Sequence, residues 1–454
     1  MPTINDVMEM AELLRSKSVV AVEDHCVAVR NRNASCHLCA DACMADAITV
    51  GKNELAIDAG ACVACGACVA VCPTAALVSL DPMDEDLAVA VADAVAQTGT
   101  GTACVACARM AARQLGDPEK FACVPCLGRV TEPLLVGLAA HGVEDIVLVD
   151  GTCATCKYGA VSPAVDETID AAASLLEAVG APAVIARASE FPPELLASDA
   201  LAVRGAARRG FFTQAGGYAR NVTMTVAEKA VADALHQDQK QKLHTLRERL
   251  GAGKSGKMPT FVPERNMRIM DALCQVGERT GALEAIMRAA EADDAGVPEG
   301  VGAAGPVGVA DVPAVDAPDA AGPEAAGAAG PVGVAGAASP ADAAAPFEPV
   351  LSTRHFGALS IDAEKCSGCG MCVMFCPTEA LKYSTLEEPA DEDMRYLEFQ
   401  ATDCTQCRLC VDVCLRHCIE LSREVPVAEL FDFEPRLVEI PRPKKPAKLF
   451  NRNR

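Results

Sequence analysis

"CVACGACVAVCP" runs from Cys62 to Pro73, and "CSGCGMCVMFCP" repeats its spacing from Cys366 to Pro377. Both read C-x2-C-x2-C-x3-C-P, the run that holds 4Fe-4S cubanes in pairs. Closely spaced cysteines let one loop wrap three corners of a cubane, and the small residues between them let backbone N–H groups approach the sulfurs. The fourth cysteine, held beyond that loop, ligates the neighbouring cluster. Zinc also uses C-x2-C pairs, but its usual sites take two pairs and gain nothing from a third cysteine two residues on.

An exchange of fourth ligands requires a partner for each run. "CTQCRLCVDVC" supplies Cys404, Cys407, Cys410 and Cys414, with Leu415 in the proline position. The partner of the first run is irregular. In "AVEDHCVAVRNRNASCHLCADACMADAITV", Ala21 to Val50, Cys36, Cys39 and Cys43 fit the spacing, but Asn33 stands at the first cysteine position and Met44 replaces the proline. Cys26 is the spare cysteine nearby, and "VAVRNRNAS" is long enough to loop out and bring its thiolate back. The expected ligand sets are therefore Cys26, Cys36, Cys39 and Cys72; Cys62, Cys65, Cys68 and Cys43; Cys366, Cys369, Cys372 and Cys414; and Cys404, Cys407, Cys410 and Cys376. The alternative for the first set is a buried Cys26 and a three-iron cluster on three cysteines. Both ends of the chain resemble two-cluster 4Fe-4S ferredoxin domains, over about residues 20–82 and 355–423, with small hairpins such as "AITVGKNELAID" between the motifs.

Residues 102 to 188 alternate short apolar runs with helical stretches, the pattern of a small parallel α/β sheet. "TACVAC", "KFACVPC", "DIVLVDG" and "PAVIARA" read as strands. "SPAVDETIDAAASLLEAVG" reads as a helix with Ser162 as cap, Pro163 in the first turn, Gly180 at the exit, and one apolar face of Val165, Ile169, Ala172, Leu176 and Val179. Cys107, Cys126 and the pair Cys153 and Cys156 follow three successive strands, so their thiols converge at one sheet edge and suggest a metal site. Cys104 and Cys123 lie inside strands, where a cysteine behaves as a small hydrophobe. The region resembles the delta subunit of methyl-viologen-reducing hydrogenase, through Cys104 and Cys107, "CLGR" from Cys126 to Arg129, and "GTCATCKYG" from Gly151 to Gly159. That resemblance implies a 2Fe-2S centre, with Cys104 as an alternate ligand, and electron delivery to a flavoprotein. Here the last motif is shorter than in the family and carries Lys157 in place of histidine.

The fold class expected is α+β: two ferredoxin-like dicluster domains flanking a small α/β parallel-sheet domain, with a helical spacer and a disordered linker. The divisions are a dicluster domain at 1–84, the α/β iron-sulfur domain at 85–200, the helical spacer at 201–288, an Ala/Gly/Pro linker at 289–353, the second dicluster domain at 354–425 and a basic tail at 426–454. The linker has no Lys or Arg and repeats "GAAGPVGVA" at 302–310 and 327–335. Such a composition cannot bury enough apolar surface to fold and predicts a tether, on which the C-terminal unit would swing as a carrier. Its literal G-x-G-x-x-G at Gly300, Gly302 and Gly305 fails the strand-then-helix context of a dinucleotide loop. "ARRGFFTQAGG", an internal echo of a twin-arginine signal, reads as a basic turn. Cys274 reads as a core residue and Cys418 as a buried thiol packed near the last motif.

The 454 residues carry a net charge of -22, no Trp and 4% aromatics, which argues against a nucleic-acid partner. No apolar stretch reaches membrane-spanning length, and the N-terminal sequence lacks the basic start and apolar core of a secretory signal, so a cytoplasmic location without membrane insertion is expected. Twenty-four cysteines in such a chain point to cluster ligation rather than disulfides. The histidines do not cluster and no Ser/His/Asp constellation is present, so no catalytic residue is assigned. The function expected is a multi-cluster electron-transfer subunit of a cytoplasmic anaerobic oxidoreductase, of the hydrogenase or heterodisulfide-reductase type. It would carry four 4Fe-4S clusters and one central 2Fe-2S cluster, with other redox subunits (hydrogenase, flavoprotein or molybdoenzyme) as partners. The alternatives are an oxidoreductase whose central cysteines reduce a disulfide or small acceptor, and a redox or metal sensor, which would need an output module.

Overall fold

Residues 18–197, 259–294, 350–387 and 389–443 are described by the computed structural model. The four central segments form one parallel sheet in the order Ala122–Val124, Ala103–Cys107, Asp145–Val149, Val184–Ala188. Ala103–Cys107 is buried along its whole length, as a near-continuous apolar run in a covered parallel sheet should be. The helix Asp84–Thr98 packs on it. The helix Ser162–Ala178 begins one residue earlier than expected, with Val161 in the cap position and no side-chain cap. The Ser162 hydroxyl instead accepts a hydrogen bond from Arg187 Nη2 at 2.8 Å.

In the N-terminal unit, Val19–Ala21 pairs antiparallel with Leu77–Ser79, and the expected hairpin joins Ile48–Gly51 to Glu54–Ile57. Asn53 takes the left-handed conformation of its two-residue turn, with φ 61°. The C-terminal unit is larger than expected. Val350–Ser352, assigned to the linker, pairs with Glu424–Pro426, and Arg436–Pro441, assigned to the basic tail, adds an edge to Leu381–Tyr383 and Met394–Phe399. "RLVEIP" was read with its basic neighbours, yet the apolar residues Leu437, Val438 and Ile440 complete that sheet. The tail beyond 443, most of the linker and the first part of the spacer lie outside the described residues.

The end of the spacer is a structural core element. Helix Glu264–Thr280 buries Ile269, Met270, Ala272, Leu273 and Val276 and packs against helix Glu132–Ala140. Its first turn reaches both dicluster units. Arg265, 7% exposed, donates to the carbonyls of Val69, Ala70 and Cys72, which end the short helix Ala67–Val71 and lack partners within it. Asn266 Nδ2 donates to the carbonyls of His355, Thr402 and Cys404 in the C-terminal unit.

A second buried contact joins the C-terminal unit to the sheet domain. Glu132 is fully buried, ion-paired with Arg354 and 3.3 Å from Nε2 of His355. Burial alone would raise the Glu132 carboxyl, but the neighbouring His355 and Arg354 hold it down at about 2. Burial pushes the His355 pKa down, against the upward pull of the Glu132 carboxylate beside it. Ser35 of the N-terminal unit also donates to Asp412, N at 2.7 Å and Oγ at 3.0 Å. The swinging-carrier expectation is corrected: the C-terminal unit is docked on the body, because composition describes the tether and says nothing of the buried charges at its far end.

A protease site engineered between 295 and 349 tests this docking. After cleavage the C-terminal fragment should co-elute with the body, and Glu132→Ala should release it, since removing one partner of a buried ion pair costs roughly 3–5 kcal/mol. The carboxylate's contribution is full above its ordinary value of 4.5 and is lost as pH falls toward about 2.

Candidate iron-sulfur sites

Cys26 directly precedes the short helix Val27–Arg30, whose first backbone N–H groups face its sulfur. The chain then turns at Asn31, whose Oδ1 accepts from the Asn33 N–H at 2.9 Å, and returns to Cys36. The expected loop is thus a single helical turn followed by a side-chain-braced bend. Burial, then the neighbouring Cys72, Cys36 and Cys26, push the Cys39 thiol up to about 12. Cys36 rises to about 11 through burial and the same neighbours. The structure therefore brings together Cys26, Cys36, Cys39 and Cys72.

The other three sets gather in the same way. Cys43, Cys62, Cys65 and Cys68 line one cavity with Val19, Ile48 and Ile57, and Cys68 is pushed up to about 12 by burial and by the other three with Cys39. Cys366, Cys369, Cys372 and Cys414 line a second, with Cys418, Leu397 and Ile440. Cys376, Cys404 and Cys407 are electrostatic neighbours of Cys410, whose thiol desolvation first, and these cysteines next, push upward. Cys72 and Cys376, the fourth cysteines of the two regular runs, each sit with the opposite set. Backbone N–H groups of Ala47, Ala76 and Gly368 donate to Cys43, Cys72 and Cys366 sulfurs at 3.3, 3.3 and 3.4 Å. Gly66 and Gly370, at the same motif position, have φ of 80° and 73°. A Cβ on Gly66 would stand 2.7 Å from Arg129 Cα, so glycine here serves both the turn and the close approach.

Thiols raised by burial, such as Cys39 and Cys68, favour a bound cation in place of their protons, as iron would supply. Among the described residues no three His, Cys, Asp or Glu side chains close on a single ion, as a tetrahedral zinc site would require. Four thiols lining one apolar cavity fit a polynuclear cluster, each sulfur serving a different iron.

The central cysteines converge only in part. Cys126 has Cys107 and Cys156 as electrostatic neighbours, and also Cys65 of the N-terminal unit. Cys153 meets two charged side chains: its Sγ lies 3.2 Å from Asp150 Oδ2 and 3.2 Å from Arg187 Nη2. Arg187 is in turn paired with Asp150 and Asp166. Cys104, the alternate ligand expected, is fully buried within its strand. Cys123, expected to be buried, is exposed, because the outer strand Ala122–Val124 turns its middle residue to solvent. Cys274 packs half-buried against the core, and Cys418 is buried with its sulfur 3.4 Å from that of Cys414.

A 4Fe-4S dicluster domain family matches residues 32–76, and a 4Fe-4S binding domain family matches residues 359–382. The chain carries ferredoxin-type iron-sulfur domains at both ends. These domains support a role in iron-sulfur electron transfer, and a region with a parallel sheet lies between them. No curated protein and no solved structure matches the chain. Among the described residues no helix is long and apolar enough to cross a membrane.

The motif-based reading missed the side chains around the thiols. Arg30, Arg265 and the Asp150–Arg187 pair lie far in sequence from the cysteines they approach or outside every cysteine motif, and no spacing rule selects them.

Cys26→Ser should lose one cluster, or convert it to a three-iron form, while the signals of the C-terminal pair stay unchanged. Iron content and EPR of the reduced and oxidised protein read this directly; full iron with every 4Fe-4S signal intact would exclude Cys26 as a ligand.

Proposed function

We propose that the chain is a multi-cluster electron relay, a subunit of a larger cytoplasmic oxidoreductase of the hydrogenase or heterodisulfide-reductase type working under anaerobic conditions. The observation that carries the reading is the cross-exchange of Cys72 and Cys376, each of which stands with the partner run's thiols. This is the ligand pattern of two-cluster ferredoxins. Cys26, Cys36, Cys39 and Cys72 would hold one 4Fe-4S cluster, and Cys43, Cys62, Cys65 and Cys68 the second. Cys366, Cys369, Cys372 and Cys414 would hold the third, and Cys376, Cys404, Cys407 and Cys410 the fourth.

The central domain, in the reading that it resembles the hydrogenase delta subunit, would hold a 2Fe-2S centre on Cys107, Cys126, Cys156 and Cys153. Arg187 supports the last of these by placing a guanidinium against the Cys153 sulfur. Arg109 braces the same loop, donating to Thr152 O at 3.0 Å and Thr155 Oγ1 at 2.8 Å. When bound, such clusters accept and release single electrons. The protein's part is to exclude water from the sulfurs, to donate backbone N–H groups to them and to fix the units relative to one another. Other redox subunits, a hydrogenase, flavoprotein or molybdoenzyme, would supply and remove the electrons.

Anaerobically reconstituted protein should contain about eighteen irons per chain, for four cubanes and one two-iron centre. Iron and acid-labile sulfide near half that value, with stoichiometric zinc, would defeat the relay. Cys156→Ala should remove the two-iron EPR signal and leave the four-iron signals in place.

A further inference from the structure

Arg30 ends the short helix Val27–Arg30 of the N-terminal unit and is 2% exposed. Its Nη1 donates to the carbonyls of Asp24 at 2.7 Å and Pro259 at 2.8 Å. Nε and Nη2 are buried without a hydrogen-bond partner, and no carboxylate among the described residues lies at ion-pair distance. A guanidinium buried with unmet donors is costly unless an anion stands opposite. Besides the Asp24 carboxylate of its own unit, the groups that face it belong to the other end of the chain. Cys407 and Cys376 of the C-terminal unit are electrostatic neighbours of Arg30, Cys407 ahead of the Asp24 carboxylate.

The two units meet at that place. Val27 shares one small apolar cluster with Leu409 and Val413, and Cys36 and Cys407 both pack against it. Cys36 is also an electrostatic neighbour of Cys407. Ser35, adjacent to Cys36, is anchored to Asp412. At the opposite side of the N-terminal unit, Cys126 of the central domain neighbours Cys65. A Cβ on Gly128 would stand 3.3 Å from the Cys65 carbonyl, so the two loops touch.

We infer that electrons cross between the two dicluster units at the junction where Cys36 and Cys407 pack on one apolar cluster, and that Arg30 is the positioning residue of this junction, its buried cation set by one unit against the cluster site of the other. The inference rests on the relay reading. It orders the sites along one line: the central cysteines, the Cys62 set, the Cys36 set, the Cys407 set and the Cys366 set. One electron leaves one cluster and arrives on the next, with no bond made and no proton moved. A fixed positive charge favours the reduced, more negative state of the cluster it faces. Arg30 therefore raises the potential on the Cys407 side of the junction.

The test uses the full chain, reconstituted anaerobically, as wild type, Arg30→Met and Arg30→Lys, with redox titration followed by EPR. Cys36→Ser and Cys407→Ser assign the signals. Arg30→Met should lower the midpoint of the cluster whose signal Cys407→Ser removes, leave the Cys366 cluster unshifted, and be largely restored in Arg30→Lys. In the fully reduced wild type, the Cys36 and Cys407 clusters should broaden each other's signals, and loss of either should sharpen the other. That measurement stands even if Arg30→Met fails to load iron. Full iron content with unshifted midpoints, or no mutual broadening, overturns the junction and leaves the relay standing. Absence of the clusters themselves overturns the relay first.

Discussion

Two adjacent side chains at the start of helix Glu264–Thr280 hold the arrangement together. Arg265 takes the carbonyls that end the Ala67–Val71 helix, and Asn266 takes three carbonyls beside Cys404. Each set of carbonyls gains a side-chain donor from outside its own unit, so the helix start ties the two units together. Because one backbone turn presents both donors, the distance between the units is fixed by the helix and not by the long connection between them.

Buried cations recur at these contacts in a chain whose net charge is -22. Arg129, 1% exposed, pairs with Asp84 and donates to the Pro82 carbonyl against the Cys65 loop. Arg354 meets Glu132 where the sheet domain receives the C-terminal unit. Arg30 faces thiols as well as the Asp24 carboxylate. The shared logic is that positive charge is taken inside at these contacts, where anionic clusters would otherwise repel one another across short distances.

The cysteine runs were legible because cluster ligation is local: three ligands come from one loop, and spacing alone places them. The same locality made the four sheet strands and the 48–57 hairpin readable, since alternating or continuous apolar runs bounded by turn residues need no distant partner. Cys26 was reachable by elimination, as the spare thiol near an incomplete run. The surroundings of Cys153 could not be read from its neighbour Cys156, because Asp150, just past the strand Asp145–Val149, and Arg187, on the strand Val184–Ala188, both stand against its sulfur. Cys104 and Cys107 differ by three positions, yet one is sealed in the sheet and the other stands at its edge among thiols.

Sequence by itself determined the kind of chemistry and its units: four-cysteine sets in exchanging pairs at both ends, with a parallel sheet between. Only the tertiary structure decided how those units meet. Arg436–Pro441 had no local sign of being a strand until Met394–Phe399 offered its open edge. Helix Glu264–Thr280 looked polar because its apolar residues are few, and packing against Glu132–Ala140 is what makes them a core. Arg30 and Cys407 are 377 positions apart, a separation that no spacing rule reaches. Ligand spacing is a property of a short loop, whereas the neighbour of a buried charge is a property of the folded whole.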